Sequence, residues 1–287
     1  MAHYHVFFNK AAGTAENSRA IKAAFKKHST AVSFYALSNL DKQIKKIAAQ
    51  NNSVIVAAGG DGTVNAVVNA AHDTKIPIGV LPLGTFNHFA KDINMPLEPE
   101  AAVTALLKGK RKKIDAGEVN GIFFVNNSSI GLYPSLVARR DQLKSRFGKA
   151  IGTIIAAGMV LAKLRRRRIH LTFDKKQTKL RSPFVFIGNN RYETSGNEFI
   201  NRKRMTEGVF SVYVVTTKSF FSLVWSLFRS STGGKKQQTA IKQLTAQQVA
   251  LRLRHTSVVV AFDGEIRSLK SPLQYTLHHK YLTIIAP

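Results

Sequence analysis

The sequence predicts an α/β lobe with a parallel sheet, followed by a lobe built as an antiparallel β-sandwich. Three observations predict it. Apolar runs and helix-period runs alternate over the first hundred residues. Beyond the basic run KGKRKK (108–113), short β-branched and aromatic runs dominate. Two of the early apolar runs also stop abruptly at glycine, in GGDGT (59–63) and in LGT (83–85). Strands alternating with helices bury both faces of a parallel sheet, whereas closely spaced strands with few helices between them pair antiparallel.

In chain order, residues 4–9 read as a strand and 15–27 as a helix with Thr14 as its N-cap. Residues 32–37 form a strand, and 41–50 a helix preceded by Ser38 or Asn39. Residues 53–58 are a continuous apolar strand, 64–71 a helix and 76–83 a strand; 87–93 and 98–107 are short helices parted by Pro96. Strands then follow at 113–119, 123–130, 169–173, 183–188, 209–215, 249–253, 258–262, 273–278 and 281–285. Helical patterns are confined to 134–163, interrupted near 147–148, and 219–229. The boundary falls near residue 115, giving lobes 1–114 and 115–287, with the extreme C-terminus able to return to the first.

Charge is the unusual bulk property. Lys and Arg number 43 against 16 Asp and Glu, a formal net charge of +27 in 287 residues. Such a field attracts nucleic acid, nucleotides or an anionic membrane surface. The absence of cysteine excludes a disulfide scaffold and a thiolate metal site, and fits a reducing compartment. The N-terminus lacks the basic-then-apolar order of a signal peptide. The longest helix-like apolar run, 151–162, falls short of the roughly 20 residues that span a bilayer. The expectation is a cytoplasmic protein, soluble or peripheral to the membrane.

The glycine turn carries the chemistry. Gly59, Gly60 and Gly62 let backbone and ligand approach closely, and the helix that follows points its positive end at the same place. At the carboxyl edge of a parallel sheet this is a phosphate site. Asp61 within it suits a Mg²⁺ ion, a backbone donor or an acceptor hydroxyl; the plain alternative is a tight turn with Asp61 as a local cap. The spacing matches neither Gly-x-Gly-x-x-Gly nor the lysine-bearing P-loop. A second turn, LPLGTFNHFAKD (81–92), places Gly84, Thr85 and Asn87 beside the first, so that one crevice has two polar walls. Asp263–Gly264–Glu265 ends a strong strand and by itself reads equally as a hairpin turn or a site. The four arginines of KLRRRRIHLTF (163–173) suit a solvated helix end or a membrane surface. SFFSLVWSLFRSSTGGKK (219–236) suits a core helix or an interfacial one.

With these blocks the chain resembles the diacylglycerol-kinase-type lipid kinases, the superfamily that includes sphingosine and ceramide kinases, and among them the bacterial soluble members. GGDGTVNAVVNA looks like the family's nucleotide loop and LPLGTFNHFA like its second phosphate-side block. FVNNSSIGLYP, FVFIGNNRYE and AFDGEI follow in the family's order. The resemblance implies ATP in the cleft between the lobes, with Gly59, Gly60, Asp61, Gly62, Thr63, Val64, Asn65, Gly84, Thr85 and Asn87 around it. The family's Asn-Pro-x-x-Gly turn appears as NKAAG, matching Asn9 and Gly13, and Ser38 stands near a position where the family often has Thr. Glu265 becomes the general base toward a lipid hydroxyl, with Asp263 orienting it or binding Mg²⁺, and Asp61 the third catalytic carboxylate. The family's Asp-Gly-Leu metal segment is matched by Glu207–Gly208–Val209, with Arg204 upstream; Arg204 and Val209 would contribute carbonyls. Ala66, Ala70, Phe86 and His88 depart from the usual Glu, Gly, Gly and Asp, which removes two carboxylates near the phosphates.

The leading expectation is an ATP- and Mg²⁺-dependent lipid kinase working on a lipid alcohol at an anionic membrane surface. Nucleic acid is not the expected partner. A kinase for a soluble substrate, of the NAD kinase kind, shares the glycine loop. A non-catalytic basic protein on a decayed kinase scaffold would account for the missing carboxylates.

Overall fold

The structure is a computed structural model that describes residues 2–9, 15–131, 167–195, 198–202, 204–215 and 241–287. Thr14, Gly13 and the helices expected at 134–163 and 219–229 lie outside the described residues.

The first lobe runs β1 (His3–Phe8), α1 (Ala15–Lys27), β2 (Val32–Ala36), α2 (Leu40–Ala48), β3 (Ser53–Gly59), α3 (Asp61–Ala71), β4 (Ile78–Pro82), α4 (His88–Asp92) and α5 (Pro99–Lys108). Strand order is β2-β1-β3-β4, all parallel. Every residue of β3 and β4 is buried, as central strands covered on both faces must be. α1 packs with α5, and α2 with α3. α5 shows how locally the sequence writes a helix start. Glu98 accepts from Ala101 N at 2.9 Å, and Pro99 occupies the first turn, where its missing N–H costs nothing.

The chain then forms β5 (Lys110–Val119), β6 (Ile122–Phe124), β7 (Asn127–Gly131), β8 (Arg167–Phe173), β9 (Lys176–Ser182), β10 (Phe184–Asn189), β11 (Tyr192–Ser195), β12 (Glu198–Arg202), β13 (Phe210–Val215), β14 (Ile241–Ala246), β15 (Gln248–Leu253), β16 (Ser257–Phe262), β17 (Glu265–Lys270) and β18 (Leu273–Ala286). A separate antiparallel sheet has the order β14-β13-β10-β7-β16-β17. Facing it, β18, β15, β8 and β9 continue the first lobe's sheet. The core between them is Ile130, Ile169, Leu171, Val185, Ile187, Val212, Leu251, Val260, Phe262 and their neighbours.

β18 and β5 are the shared spine. They pair antiparallel from Ala286↔Lys110 to Tyr275↔Val119, with an irregularity between His278 and Leu282. Leu282, Ile284 and Ile285 belong to the first core, Leu273 and Tyr275 to the second. The C-terminus thus returns to the first lobe, where Ile284 pairs in parallel with Ile78 of β4. The two strands expected at 273–278 and 281–285 are one strand bent at that irregularity.

Candidate active site

β3 and β4 end side by side, Gly59 opposite Pro82, and Leu83 N donates to Gly59 O at 3.0 Å. The two turns that follow touch through their backbones: a Cβ on Gly84 would lie 2.4 Å from Gly60 Cα. Only glycine permits that approach. Gly60 opens α3 in an extended conformation without a side-chain cap, while Thr63 N and Val64 N turn back to its carbonyl at 2.9 and 3.1 Å. The first N–H groups of a helix have no intrahelical acceptor. Here no capping side chain covers them, and the crevice gains a wall of positive potential.

Of its three options, Asp61 meets backbone donors. Its Oδ2 accepts from His88 N at 3.2 Å and its Oδ1 from Phe89 N at 3.0 Å. One carboxylate in the first turn thereby caps α4 from outside and locks the two turns together. Asn87 sits at positive φ (50°) and holds Gly84 with its amide, accepting from Gly84 N at 2.9 Å and donating to Gly84 O at 2.8 Å. Asn9 Nδ2 donates to Thr63 Oγ1 at 3.3 Å, so β1 joins the same edge. Thr85 is exposed at the mouth, beside Phe86, whose ring stacks on His88 with centroids 5.6 Å apart. Val64 is buried in the first core and offers the crevice only backbone. Ser38 is exposed after β2, and its carbonyl accepts from Gln43 at 2.6 Å, outside this cluster.

The second lobe reaches in through the β16–β17 hairpin. Phe262 pairs with Glu265, and the two residues between them, Asp263 and Gly264, have φ of 46° and 89°. Positive φ at both central positions is the type I′ turn that Asp-Gly favours. The turn sends its two carboxylates to different tasks. Asp263 is buried. Its oxygens accept from Val125 N (2.6 Å), Asn126 N (2.8 Å), Asn127 N (3.1 Å) and Asn65 Nδ2 (3.1 Å). Burial pushes its carboxyl above the ordinary value, against the pull of those donors. With its lone pairs taken, Asp263 is an anchor between the lobes. Glu265 is exposed and lies over the glycine turn: a Cβ on Gly62 would be 2.5 Å from its Oε1.

Asn65, expected near the nucleotide, faces the lobe junction instead. It donates to Phe123 O at 2.9 Å as well as to Asp263, and Asn69 joins it through Phe123 N and O at 2.8 and 2.9 Å. A further tie is Arg202, whose guanidinium is fully buried. It donates to Asp92 Oδ2 at 2.7 Å, to Asn126 Oδ1 at 3.3 Å and to the Val125 and Asn189 carbonyls. Burial pushes the Asp92 carboxyl up, and Arg202 opposes it. Nothing in the sequence singled out Arg202, Asp92 or Asn69.

The segment expected to hold a metal in the second lobe is organised otherwise. Glu207 Oε2 accepts from Arg191 N at 3.1 Å, the Val209 carbonyl accepts from Asn190 N at 3.0 Å, and Arg204 is exposed. Asp115, fully buried beneath, takes Gly208 N (2.7 Å), Lys280 N (2.7 Å) and His279 Nδ1 (2.9 Å). These groups satisfy one another. Among the described residues no three His, Asp or Glu side chains converge on one position.

Fold and site together define a class: a two-lobed protein that sets a glycine-lined crevice of a parallel α/β lobe against an acid from a β-sandwich lobe. Comparison with known proteins narrows the class. Residues 3–119 match the diacylglycerol kinase catalytic domain, and residues 131–286 match the YegS C-terminal NAD kinase beta sandwich-like domain. A Staphylococcus aureus protein named diacylglycerol kinase is 23% identical over 241 residues, covering 83% of this chain and 76% of that protein. Two solved Bacillus anthracis structures described as diacylglycerol kinases share the fold. Their TM-scores are 0.76 and 0.71, at 19% and 20% identity, over 99% of this chain and 97% of each of theirs. The chain belongs to the diacylglycerol-kinase-type lipid kinase family.

Proposed function

We propose that the chain is an ATP-dependent lipid kinase that moves the γ-phosphoryl group to the hydroxyl of a diacylglycerol-like lipid at an anionic membrane surface. The observation that carries this reading is Glu265 of the second lobe lying over Gly62 of the first. The crevice N–H groups at Gly60–Gly62 and the Gly84 turn receive the triphosphate. Glu265 takes the proton of the lipid hydroxyl as its oxygen bonds to the γ-phosphorus and the bond to the β-phosphate bridge breaks, leaving ADP and a lipid phosphate. Asp61 and Asp263 position rather than react. Both accept from N–H donors, and a Mg²⁺ ion accompanying the phosphates would be held by those phosphates and by the remaining lone pairs of Asp61, which leaves Glu265 free as the base. The ion would neutralise phosphate charge.

Among the described residues no helix is long and apolar enough to cross a membrane. A lipid alcohol would therefore be met at the bilayer surface, and the positive field of the chain favours an anionic one on the cytoplasmic side. The test is transfer of label from γ-labelled ATP to a panel of lipid alcohols in mixed micelles, with NAD⁺ as a soluble competitor substrate. Label in a lipid, lost in Glu265→Ala, supports the reading. Label in NAD⁺ alone replaces it with a soluble-substrate kinase. Transfer to nothing, with salt-sensitive polyanion binding that survives Glu265→Ala, replaces it with a non-catalytic binding protein.

A further inference from the structure

Four strands end the two large sheets: β2 and β9 in one, β14 and β17 in the other. An edge strand invites pairing with another chain, and cations along it are a common protection. β9 carries Lys176, Lys179 and Arg181; β14 carries Lys242; β17 carries Arg267 and Lys270 besides Glu265. β2 is VSFYA, and no charged residue occurs from Ser29 to Leu40. β2 also lacks a proline, and it keeps register with β1 without a bulge. In a chain of net charge +27 this edge is the exception.

The ladder with β1 fixes which groups of β2 are open. Tyr4 N donates to Ala31 O at 2.9 Å. The pairing is parallel and in step, so Ala31, Ser33 and Tyr35 turn their backbone groups to β1. Val32, Phe34 and Ala36 turn theirs outward, and among the described residues nothing bonds to those groups. Phe34 is 37% exposed, and Ala36 is exposed too. Lys22 lies over the Phe34 ring at 5.4 Å, a contact with the ring rather than with the strand's backbone.

We propose that a second copy of this chain occupies the edge, β2 against β2, antiparallel about a two-fold axis at Phe34. In an antiparallel ladder alternate residues exchange both N–H···O bonds with the residue opposite. Centred on Phe34, the register sets Phe34 opposite its own copy and Val32 opposite Ala36. Three N–H donors from each copy then make six hydrogen bonds. No other two-fold register pairs all three open residues among themselves. Charge favours the same partner. Two copies of +27 repel, and cations set directly opposite each other on paired strands add to that. β2 brings two backbones together with no charge opposed along the strand. The contact is the same patch on both copies, so assembly closes at the dimer. Each glycine crevice stays complete within its own copy, and the dimer stands apart from the kinase reading.

The absence of cysteine gives a direct test. Val32→Cys/Ala36→Cys sets thiols opposite each other across the axis, at the Cα separation of about 5.5 Å that a disulfide spans. Within one chain the same positions are about 13 Å apart, too far to bridge. Mild oxidation with copper phenanthroline is expected to cross-link the double variant into a dimer, and neither single variant. Sedimentation velocity on wild type is expected to show a monomer–dimer equilibrium that tightens as salt screens the two like net charges. Ala36→Pro removes an outward N–H and no bond to β1. It weakens the dimer about 30-fold, the scale of two hydrogen bonds. Should that variant misfold, Ala36→Lys serves, with a loss at least as large. A wild type that stays monomeric up to its solubility overturns the proposal. So does a dimer that falls apart with added salt or nuclease, a double variant that does not cross-link, or a folded Ala36 variant that associates like wild type.

Discussion

The carboxylate of Glu265 and the backbone of Gly62 come from different lobes and meet: a Cβ on Gly62 would be 2.5 Å from Glu265 Oε1. Gly62→Ala therefore displaces the acid without touching any core residue. The obstructed atom is the far end of a flexible side chain, so the fold accommodates the methyl group. Melting within a few degrees of wild type is expected, with phosphoryl transfer reduced about 100-fold, the scale of an ångström's misplacement at a reacting centre. Thermal scanning and a transfer assay on the same preparation check it. Full activity in the variant would place the working position of Glu265 elsewhere.

Asp263 offers a sharper substitution. Three backbone N–H groups and the Asn65 amide all point at its oxygens. Asn would turn an NH₂ toward donors, so Asp263→Asn is expected to destabilise about as much as Asp263→Ala. The loss is about 2 kcal/mol or more, since buried donors are left unmade. Urea denaturation reads both. An Asn variant as stable as wild type would contradict the assigned hydrogen bonds.

Arg202 and Asp92 join α4 to the second lobe, and only Arg202 is wholly buried; the Asp92 side chain keeps 17% exposure. Arg202→Met alone leaves a carboxylate facing a dry junction, a loss of about 3 kcal/mol at the lower end for buried pairs. Arg202→Met/Asp92→Leu is expected to recover a good part of it. A double-mutant cycle by denaturation gives a coupling of about 1 kcal/mol or more. Strict additivity would show that the pair ties nothing together.

The first lobe was legible because its signals are local and periodic. Residues 15–27 are the helix the pattern marked, and β3 and β4 are the apolar runs that end in glycine. The strands that the pattern did not mark in the second lobe include β9, β14 and β17, and each is the last strand of its sheet. Most positions on these edge strands are exposed, and β17 (EIRSLK) and β9 (KQTKLRS) turn Leu269 and Leu180 to the core, too few apolar residues to mark an alternation. The glycine crevice followed from its motif, and a place for Glu265 beside it only from the family resemblance. The roles of Asn65, Asn87 and Asp263 did not, because an amide or carboxylate beside a ligand loop looks the same in sequence whether it faces ligand or backbone. Asp115 was invisible for the same reason: a lone acid in KIDAGEV gains its partners from residues 93 to 165 positions away.

His5 provides a pH test. It is buried between His3, Tyr35 and Ser53, and burial, with His3 adding, pushes its imidazole down to about 4. In the unfolded chain it titrates near 6.5. Between these values the unfolded chain binds a proton that the folded one refuses, so stability falls as pH drops from about 6.5 to about 4. In His5→Asn that part of the fall disappears. Urea midpoints at pH 7.5 and 4.5 for both proteins give the difference, in which carboxylates common to both cancel. Equal falls would show that His5 is not held neutral.

The most direct measurement is a paired one on Glu265→Gln: affinity for ATP, and the rate of transfer from bound ATP to a lipid alcohol. Glu265 faces the crevice from the opposite lobe and is outside the backbone groups that would grip the triphosphate. The account predicts a dissociation constant within about threefold of wild type and a transfer rate lower by roughly 10² to 10⁴. An unchanged rate, or a rate that falls only because ATP no longer binds, would contradict it.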